Sequence, residues 1–487
     1  MRISSIIPCV RNANGSGHEQ RRQTDGPGKD EVNRMNDFRK TAQEMLEFIR
    51  ISPTCFHAVA NIGRMLEAAG FQQLQEKEEW KLEKGGRYYT ERNDSSVIAF
   101  AIPEKEVSIR GFHMAAAHSD SPCFKIKEKP ELTVEEHYLR LNTEKYGGMI
   151  LSTWLDRPLS IAGRLAVKNG NGIEGRLVNI DRDLCVIPNV AIHMNREMNK
   201  GVEYNPQVDL LPLLADVSFD EYDTHTTYDA QNASENAEEQ PETVEKPTLA
   251  ALAAEAAGVD AETILGEDLF LYTRQEGKMI GAKGEFVLSP RLDDLQSAFA
   301  LTKAFTESTP AEYINLCAVF DNEEVGSGTR QGADSTFLED TLQRITEGLQ
   351  EGHSTYLRWV ADSFLISADN AHAVHPNHPE KADPANRPYL NGGIVIKYHG
   401  SQKYTTDGIS AAKMKDYCER AKVPYQTYAN RSDIAGGSTL GNISTAHVSV
   451  SSVDIGLPQL AMHSAVETAG MKDTEYAVRA LKEFWGE

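Results

Sequence analysis

Phe320-Asp321-Asn322-Glu323-Glu324-Val325-Gly326-Ser327-Gly328 follows the apolar run Ile314-Asn315-Leu316-Cys317-Ala318-Val319, so a buried strand delivers two adjacent carboxylates into a glycine-rich turn. Neighbouring side chains at a strand end point in different directions. One carboxylate can therefore hold a metal while the other stays free to move a proton. An isolated Glu-Glu pair reads as a solvated acidic turn, but this pair has company along the chain.

Candidate metal ligands occupy equivalent places beyond other apolar runs: His118 after Met114 to Ala117, and Asp369 after Phe364 to Ala368. In an open parallel sheet such ends converge on one crevice. Asp293, in Pro290-Arg291-Leu292-Asp293-Asp294-Leu295, stands where a loop turns into a helix, and His463 follows Gly456 to Met462, a short loop after the last strand. Two imidazoles and three carboxylates form a mixed nitrogen and oxygen set suited to Zn²⁺, Mn²⁺ or Co²⁺. Five ligands exceed what one tetrahedral zinc takes. Two ions ~3.5 to 4 Å apart that share a carboxylate use them economically and leave a bridging water to be activated.

These residues resemble the aspartyl aminopeptidase family of cocatalytic dizinc exopeptidases. The matching blocks are His118-Ser119-Asp120-Ser121-Pro122, Ser289 to Leu295, Asp321 to Ser327, Ser367 to Asn377, and Ala461-Met462-His463-Ser464, which span the chain from about residue 36 onward. The resemblance implies an α/β fold, a doubly wound mixed sheet of the zinc-exopeptidase type with an inserted β-rich domain. It implies that His118, Asp293 and Asp369 hold one metal, that Asp293, Glu324 and His463 hold the other, and that Glu323 is the general base. Asp120, two residues from His118, would orient that imidazole rather than ligate. Substrate contacts are implied for His372, Lys397 and Tyr404, and His193 resembles a histidine that reaches a neighbouring subunit's site. A buried Lys397 requires a compensating anion, either a substrate carboxylate or developing oxyanion charge. One departure is Asp293-Asp294, where the family pattern reads Asp-Asn; similar enzymes have a cis peptide there.

The expected organisation has a disordered leader over 1–35 and a catalytic domain over 36–123 and 268–487. Two amphipathic helices separated by Ser52-Pro53 begin the catalytic part, and folded sequence is expected from Asn36. Residues 124–267 read as an inserted β-rich domain, with short alternating strands around turns such as Asn169-Gly170-Asn171-Gly172. Its use is expected to be oligomerisation, and similar proteins form dodecamers. Inside it, 216–247 reads as an acidic mobile loop, because the stretch from Asp216 to Glu245 carries ten carboxylates and no Lys or Arg. Strands are expected from Ser108 to Ala117, Gly393 to Tyr398 and Val448 to Ile455, and a helix from Leu292 to Thr306.

The formal net charge of -22 argues against nucleic-acid or anionic-membrane partners. Six scattered cysteines without ligand spacing read as reduced thiols, and with no apolar stretch of membrane-spanning length the expected location is the cytoplasm. Gly326-Ser327-Gly328 and Gly436-Gly437 lack the phosphate-loop pattern, and Ser438-Thr439 lacks a serine-hydrolase elbow. His375-Pro376-Asn377-His378 reads as a loop-shaping motif. Three readings remain: an aminopeptidase taking short peptides with a free N-terminal residue, acidic by the resemblance, a dimetal amino-acid deacylase or carboxypeptidase, and a non-catalytic assembly scaffold. A free carboxylate at Glu323 favours catalysis.

Overall fold

Ile314–Phe320 forms a strand near the middle of a nine-stranded mixed sheet. The order across it is Gln72–Leu74, Arg87–Arg92, Ser96–Ala101, Ile314–Phe320, Phe112–His118, Phe364–Ala368, Ser451–Gly456, Ile394–Tyr398 and Tyr425–Ala429. The run from Ile314–Phe320 to Ser451–Gly456 is parallel, and Phe320 stands in register with His118. The computed structural model describes residues 29–104, 107–217, 219, 248–437 and 439–487. The expected leader lies outside the described residues over 1–28, and so does the acidic segment apart from Asp216, Val217 and Phe219.

Alternation along the strands makes two cores. Val97, Ala99, Ala115, Ala117, Cys317 and Val319 pack on one face with the helices Lys29–Arg50, Cys55–Ala68, Leu292–Thr306, Gly408–Arg420 and Asp473–Trp485. Ile98, Phe100, Met114, Ala116, Leu316 and Ala318 pack on the other with Phe337–Gly348, His353–Ala361 and Leu440–His447. Helices on both faces of a largely parallel sheet make the doubly wound α/β class, as the sequence predicts. Among the described residues no helix is long and apolar enough to cross a membrane.

A second, six-stranded sheet is antiparallel throughout, in the order Gly172–Asn179, Leu159–Asn169, Ile264–Thr273, Cys123–Val134, Tyr138–Tyr146 and Leu213–Asp216. It has its own core, with Phe124, Trp154, Ile161, Leu165, Leu269 and Leu271 buried. The hairpin at Asn169-Gly170-Asn171-Gly172 closes on the Asn169–Gly172 pair.

Several expected boundaries move. The first helix starts at Lys29 rather than near Asn36, and Met35 already packs against the core. The inserted sheet continues past residue 267 to Thr273, because Leu269 to Thr273 stay in register with Leu159 to Gly163. The His118 strand begins at Phe112 instead of Ser108, in register with Ile314 at the start of its neighbour. Val448 caps the helix Leu440–His447, and the strand after it starts at Ser451.

A third sheet was not foreseen. Its strands are Lys278–Ile280, Phe286–Ser289, Glu467–Gly470, Pro458–Leu460 and Ala371–His372. It lies at the site end of the molecule, carries His372 on one of its strands and positions the turns that carry Asp293 and His463.

Candidate active site

The parallel strands end together. His118 is the last residue of its strand, Asp369 follows Ala368, and Asn322, with φ of 63°, turns the chain after Phe320 so that Glu323 and Glu324 form a single 3-10 turn. Gly456, the last residue of a neighbouring strand, has no room for a side chain, since a Cβ there would overlap the Asp369 carbonyl oxygen. Asp293 stands at the start of its helix in extended geometry, after Arg291 with φ of 54°, and the Asp293-Asp294 peptide is cis. His463 lies in the turn between Pro458–Leu460 and Glu467–Gly470, at φ of 65°.

Five side chains named from sequence meet here. His118 Nε2 lies 3.5 Å from Asp293 Oδ1 and 3.9 Å from Asp369 Oδ1. His463 Nε2 lies 3.4 Å from Asp293 Oδ2 and 3.4 Å from Glu324 Oε1. The ligand atoms of His118, Asp293 and Glu324 fall within 4.8 Å of one another, and so do those of His118, Asp294 and Asp369. The outer nitrogens of both imidazoles are engaged: His118 Nδ1 is 3.1 Å from the Asp120 carbonyl oxygen and 3.3 Å from its Oδ1, and His463 Nδ1 is 2.8 Å from the Gly148 carbonyl oxygen. An Nδ1–H donating there leaves each Nε2 lone pair aimed at the carboxylates.

Asp120 is a hub. Its Oδ1 accepts the Glu323 backbone N–H and its Oδ2 accepts that of Glu324, both at 3.2 Å, and Tyr146 of the inserted sheet donates to Oδ2 at 2.7 Å. Asn322 Nδ2 donates to the Tyr146 oxygen at 2.8 Å. On the other side Glu467 accepts the backbone N–H of Asp293 at 3.0 Å and of His463 at 2.7 Å. Asp294 Oδ2 accepts the His118 backbone N–H at 3.2 Å. Sequence reasoning missed Tyr146, Asn322 and Glu467. None carries a local signal, since the partners of Tyr146 and Glu467 include residues far away in sequence.

The Glu323 carboxylate makes no hydrogen bond or ion pair among the described residues. Burial pushes its pKa up to about 7; nearby His118 opposes this, while Asp369, Asp120 and Asp293 add to it. Burial and the Asp293 charge likewise raise Glu324 well above the usual carboxylate range. Burial alone would lower the His463 imidazole, but the Asp293 and Glu324 carboxylates carry it up to about 10. Asp293 Oδ1, Asp294 Oδ1 and Glu324 Oε1 are buried without a hydrogen-bond donor. Acidic oxygens crowded together and left without donors fit a cation at their focus.

The remaining named residues divide. Lys397 is 2% exposed, yet its Nζ lies 3.4 Å from Asp369 Oδ2 and 3.1 Å from the Asn370 carbonyl oxygen. The compensating anion is thus a residue of the cluster, where a substrate group was expected. Tyr404 is buried with its ring 5.2 Å from that ammonium. His372 is exposed in a cleft also lined by His375, His378 and Lys381, so the His-Pro-Asn-His motif borders this cleft. His193 is not brought to the cluster; it is exposed on the loop of Val190, Ile192 and Met194.

Sheet and cluster together define a metal-dependent α/β hydrolase. The family profile described as "Aminopeptidase I zinc metalloprotease (M18)" matches residues 48–485. The chain is 46% identical over 448 residues to a probable M18 family aminopeptidase 2 of Clostridium novyi (strain NT), covering 92% of this chain and 98% of that one. Among solved structures it resembles that of the Ape4 and Nbr1 complex, with 36% identity, TM-score 0.84, and coverage of 93% and 86%. The S. cerevisiae mApe1 dodecamer is similar at 26% identity and TM-score 0.75, with coverage of 92% and 97%. The chain belongs to the M18 family of zinc aminopeptidases. Aminopeptidase therefore prevails over the deacylase, carboxypeptidase and scaffold readings.

Proposed function

We propose that this chain releases single N-terminal residues, with acidic ones preferred, at a two-metal centre in which Glu323 is the general base. The observation that carries the reading is the division of Asp293 between two imidazoles, Oδ1 toward His118 and Oδ2 toward His463. His118, Asp293 and Asp369 would hold one divalent ion, and Asp293, Glu324 and His463 the other. Zinc suits the mixed nitrogen and oxygen donors, with Mn²⁺ or Co²⁺ as substitutes. Such ions, when bound, polarise a carbonyl and lower the pKa of water.

The rest of the chemistry falls to the chain. Glu323, with no partner of its own, takes the proton from the attacking water and passes it to the leaving amine. Asp120 keeps His118 in the tautomer that leaves Nε2 free and fixes the turn that presents Glu323. Lys397 holds Asp369. The cleft of His372, His375, His378 and Lys381 supports an acidic first residue through the Lys381 ammonium, whose charge a substrate carboxylate there would meet, while desolvation in the cleft and then Lys397 hold the His372 imidazole below its ordinary pKa.

Assembly is part of this reading. Met194 is 82% exposed, Val190 and Ile192 beside His193 are exposed too, and Ile173 and Leu177 stand open on the edge strand Gly172–Asn179. Exposed apolar edges call for cover, which a second copy in a dodecamer-type shell would supply while carrying His193 toward a neighbouring site. Reduced cysteines and the strong negative charge fit a cytoplasmic protein acting on short peptides.

The test is Glu323→Gln with metal content measured alongside turnover. Metal should stay at the wild-type level while kcat falls about 10² to 10⁴-fold on an acidic aminoacyl-p-nitroanilide. Near-normal turnover in the loaded variant rejects the base, and equal rates across acidic and apolar substrates reject the specificity.

A further inference from the structure

Away from the metal-ligand cluster, a cleft of about 420 Å³ opens where the helix Cys55–Ala68, the strand Ile264–Thr273 and the turn at Pro290-Arg291 come together. Its walls carry Arg50, Arg64, Arg274 and Arg291, a basic concentration in a chain of net charge -22. Two of the four are neutralised. Arg50 bonds both oxygens of Glu47, at 2.6 and 2.8 Å, and Arg274 pairs with Asp181 and Asp183. Glu276, also on the wall, is exposed and acts on Arg50.

Arg64 and Arg291 make no ion pair among the described residues. Arg64 donates to Asn61 Oδ1 at 2.5 Å. Arg291 donates Nη2 to the Ile49 carbonyl oxygen at 3.1 Å, and its Nε–H is buried with no acceptor. Arg64 is exposed, whereas Arg291 is half-buried with its Nε–H enclosed and the Tyr272 ring 5.8 Å from its guanidinium; a charge without a carboxylate and an unspent donor both cost free energy there. The same positive field falls on His57, which burial, then Arg291 and Arg64, push down to about 4. Arg291 also lines a second, small cavity of about 40 Å³ that reaches Asp293, so it stands between the open cleft and the back of the metal-ligand cluster.

We propose that this cleft is an anion site, which binds a small oxyanion, phosphate or carboxylate, between Arg64 and Arg291. The guanidinium fork takes two oxygens at once, and the charge it gains is the one the surrounding protein omits. Because Arg291 makes the left-handed turn two residues before Asp293, a bound anion braces the segment that places that carboxylate.

The test is calorimetric titration of the zinc-loaded full chain with inorganic phosphate and, separately, with acetate, at ionic strength held constant with chloride. Saturable binding is expected, weakened about tenfold by Arg64→Gln, the value of one lost charge-assisted hydrogen bond. It should be unchanged in the control Arg330→Gln. Anion captured by the metal centre does not depend on Arg64, so the variant separates the two. Arg291→Lys, which keeps the charge and loses the fork, should weaken binding as well. Binding of both anions supports a general oxyanion site, and binding of phosphate alone narrows it to phosphate. Superimposable isotherms for wild type and Arg64→Gln, or no saturable heat with either anion, overturn the proposal.

Discussion

Tyr146 donates its hydroxyl to Asp120 Oδ2 at 2.7 Å, which ties the six-stranded sheet to the residue bonded to His118. Asp120 otherwise rests on elements of the nine-stranded sheet and its turns. Tyr146→Phe removes one donor while Glu324 N–H still reaches the same oxygen. With the bond from Asn322 Nδ2 to the Tyr146 oxygen lost as well, the two missing hydrogen bonds should lower stability by about 2 to 3 kcal/mol. Looser support of an imidazole that ligates should weaken metal binding by about tenfold. Metal titration after chelation reads the second effect; unchanged metal affinity would show that Asp120 holds His118 without help from the inserted sheet.

His113 is a separate, metal-independent site of pH sensitivity. Its imidazole is 3% exposed, stacked 3.7 Å from Tyr313 and 4.6 Å from Phe484, with Nδ1 3.3 Å from the Phe484 carbonyl oxygen. Burial pushes its pKa down to about 4, with the Phe484 carbonyl opposing. The folded state therefore favours neutral His113. Above the unfolded value of about 6.5 its contribution is fully present, and as pH falls from there toward 4 the unfolded chain gains the proton first, a loss approaching about 3 kcal/mol. His113→Phe keeps an aromatic ring in the stack and removes the titration. Urea midpoints of the two proteins, measured in the same metal state, should converge or cross between pH 7 and 4.5. A constant difference over that range would place the His113 pKa near its ordinary value.

Strands ending at the cluster were legible because parallel strands buried on both faces appear as unbroken apolar runs, as in Ile314–Phe320 and Phe364–Ala368. The third sheet was not. Ala371–His372 has two residues and Pro458–Leu460 three, too few for any period to show. Polar partners escaped for another reason: Tyr146 and Glu467 look like surface residues until the chain folds and sets Tyr146 against the Asp120 and Asn322 side chains and Glu467 under the backbone N–H groups of Asp293 and His463. Lys397 was read as buried, but its anion is Asp369, a pairing set by strand Ile394–Tyr398 lying one strand away from Phe364–Ala368.

Exposed apolar groups around His193 bear on assembly. Met194→Asp with Ile192→Asp places two charges where Met194 is 82% and Ile192 46% exposed, so the fold of one chain should tolerate them. If another copy covers this loop, light scattering should show the assembly falling to smaller species, with circular dichroism unchanged. Wild-type mass in the double variant would mean that the loop faces solvent in the assembled protein.

Glu467 spans the cluster from behind, with Oε2 accepting Asp293 N–H and Oε1 accepting His463 N–H. Burial, with the Asp293 charge, raises its pKa to about 8. Glu467→Gln keeps the shape but offers one oxygen to two donors, so its amide N–H must face a backbone N–H in a site only 2% exposed. An unsatisfied buried donor costs about 1 to 3 kcal/mol, and the strain falls on the segments carrying Asp293 and His463. Metal affinity should drop about 10 to 100-fold. Saturating zinc should then restore most of kcat, because Glu323 and the cleft around His372 are untouched. A variant that keeps wild-type metal affinity, or one whose activity excess metal cannot rescue, would show that Glu467 does not work by positioning those two side chains.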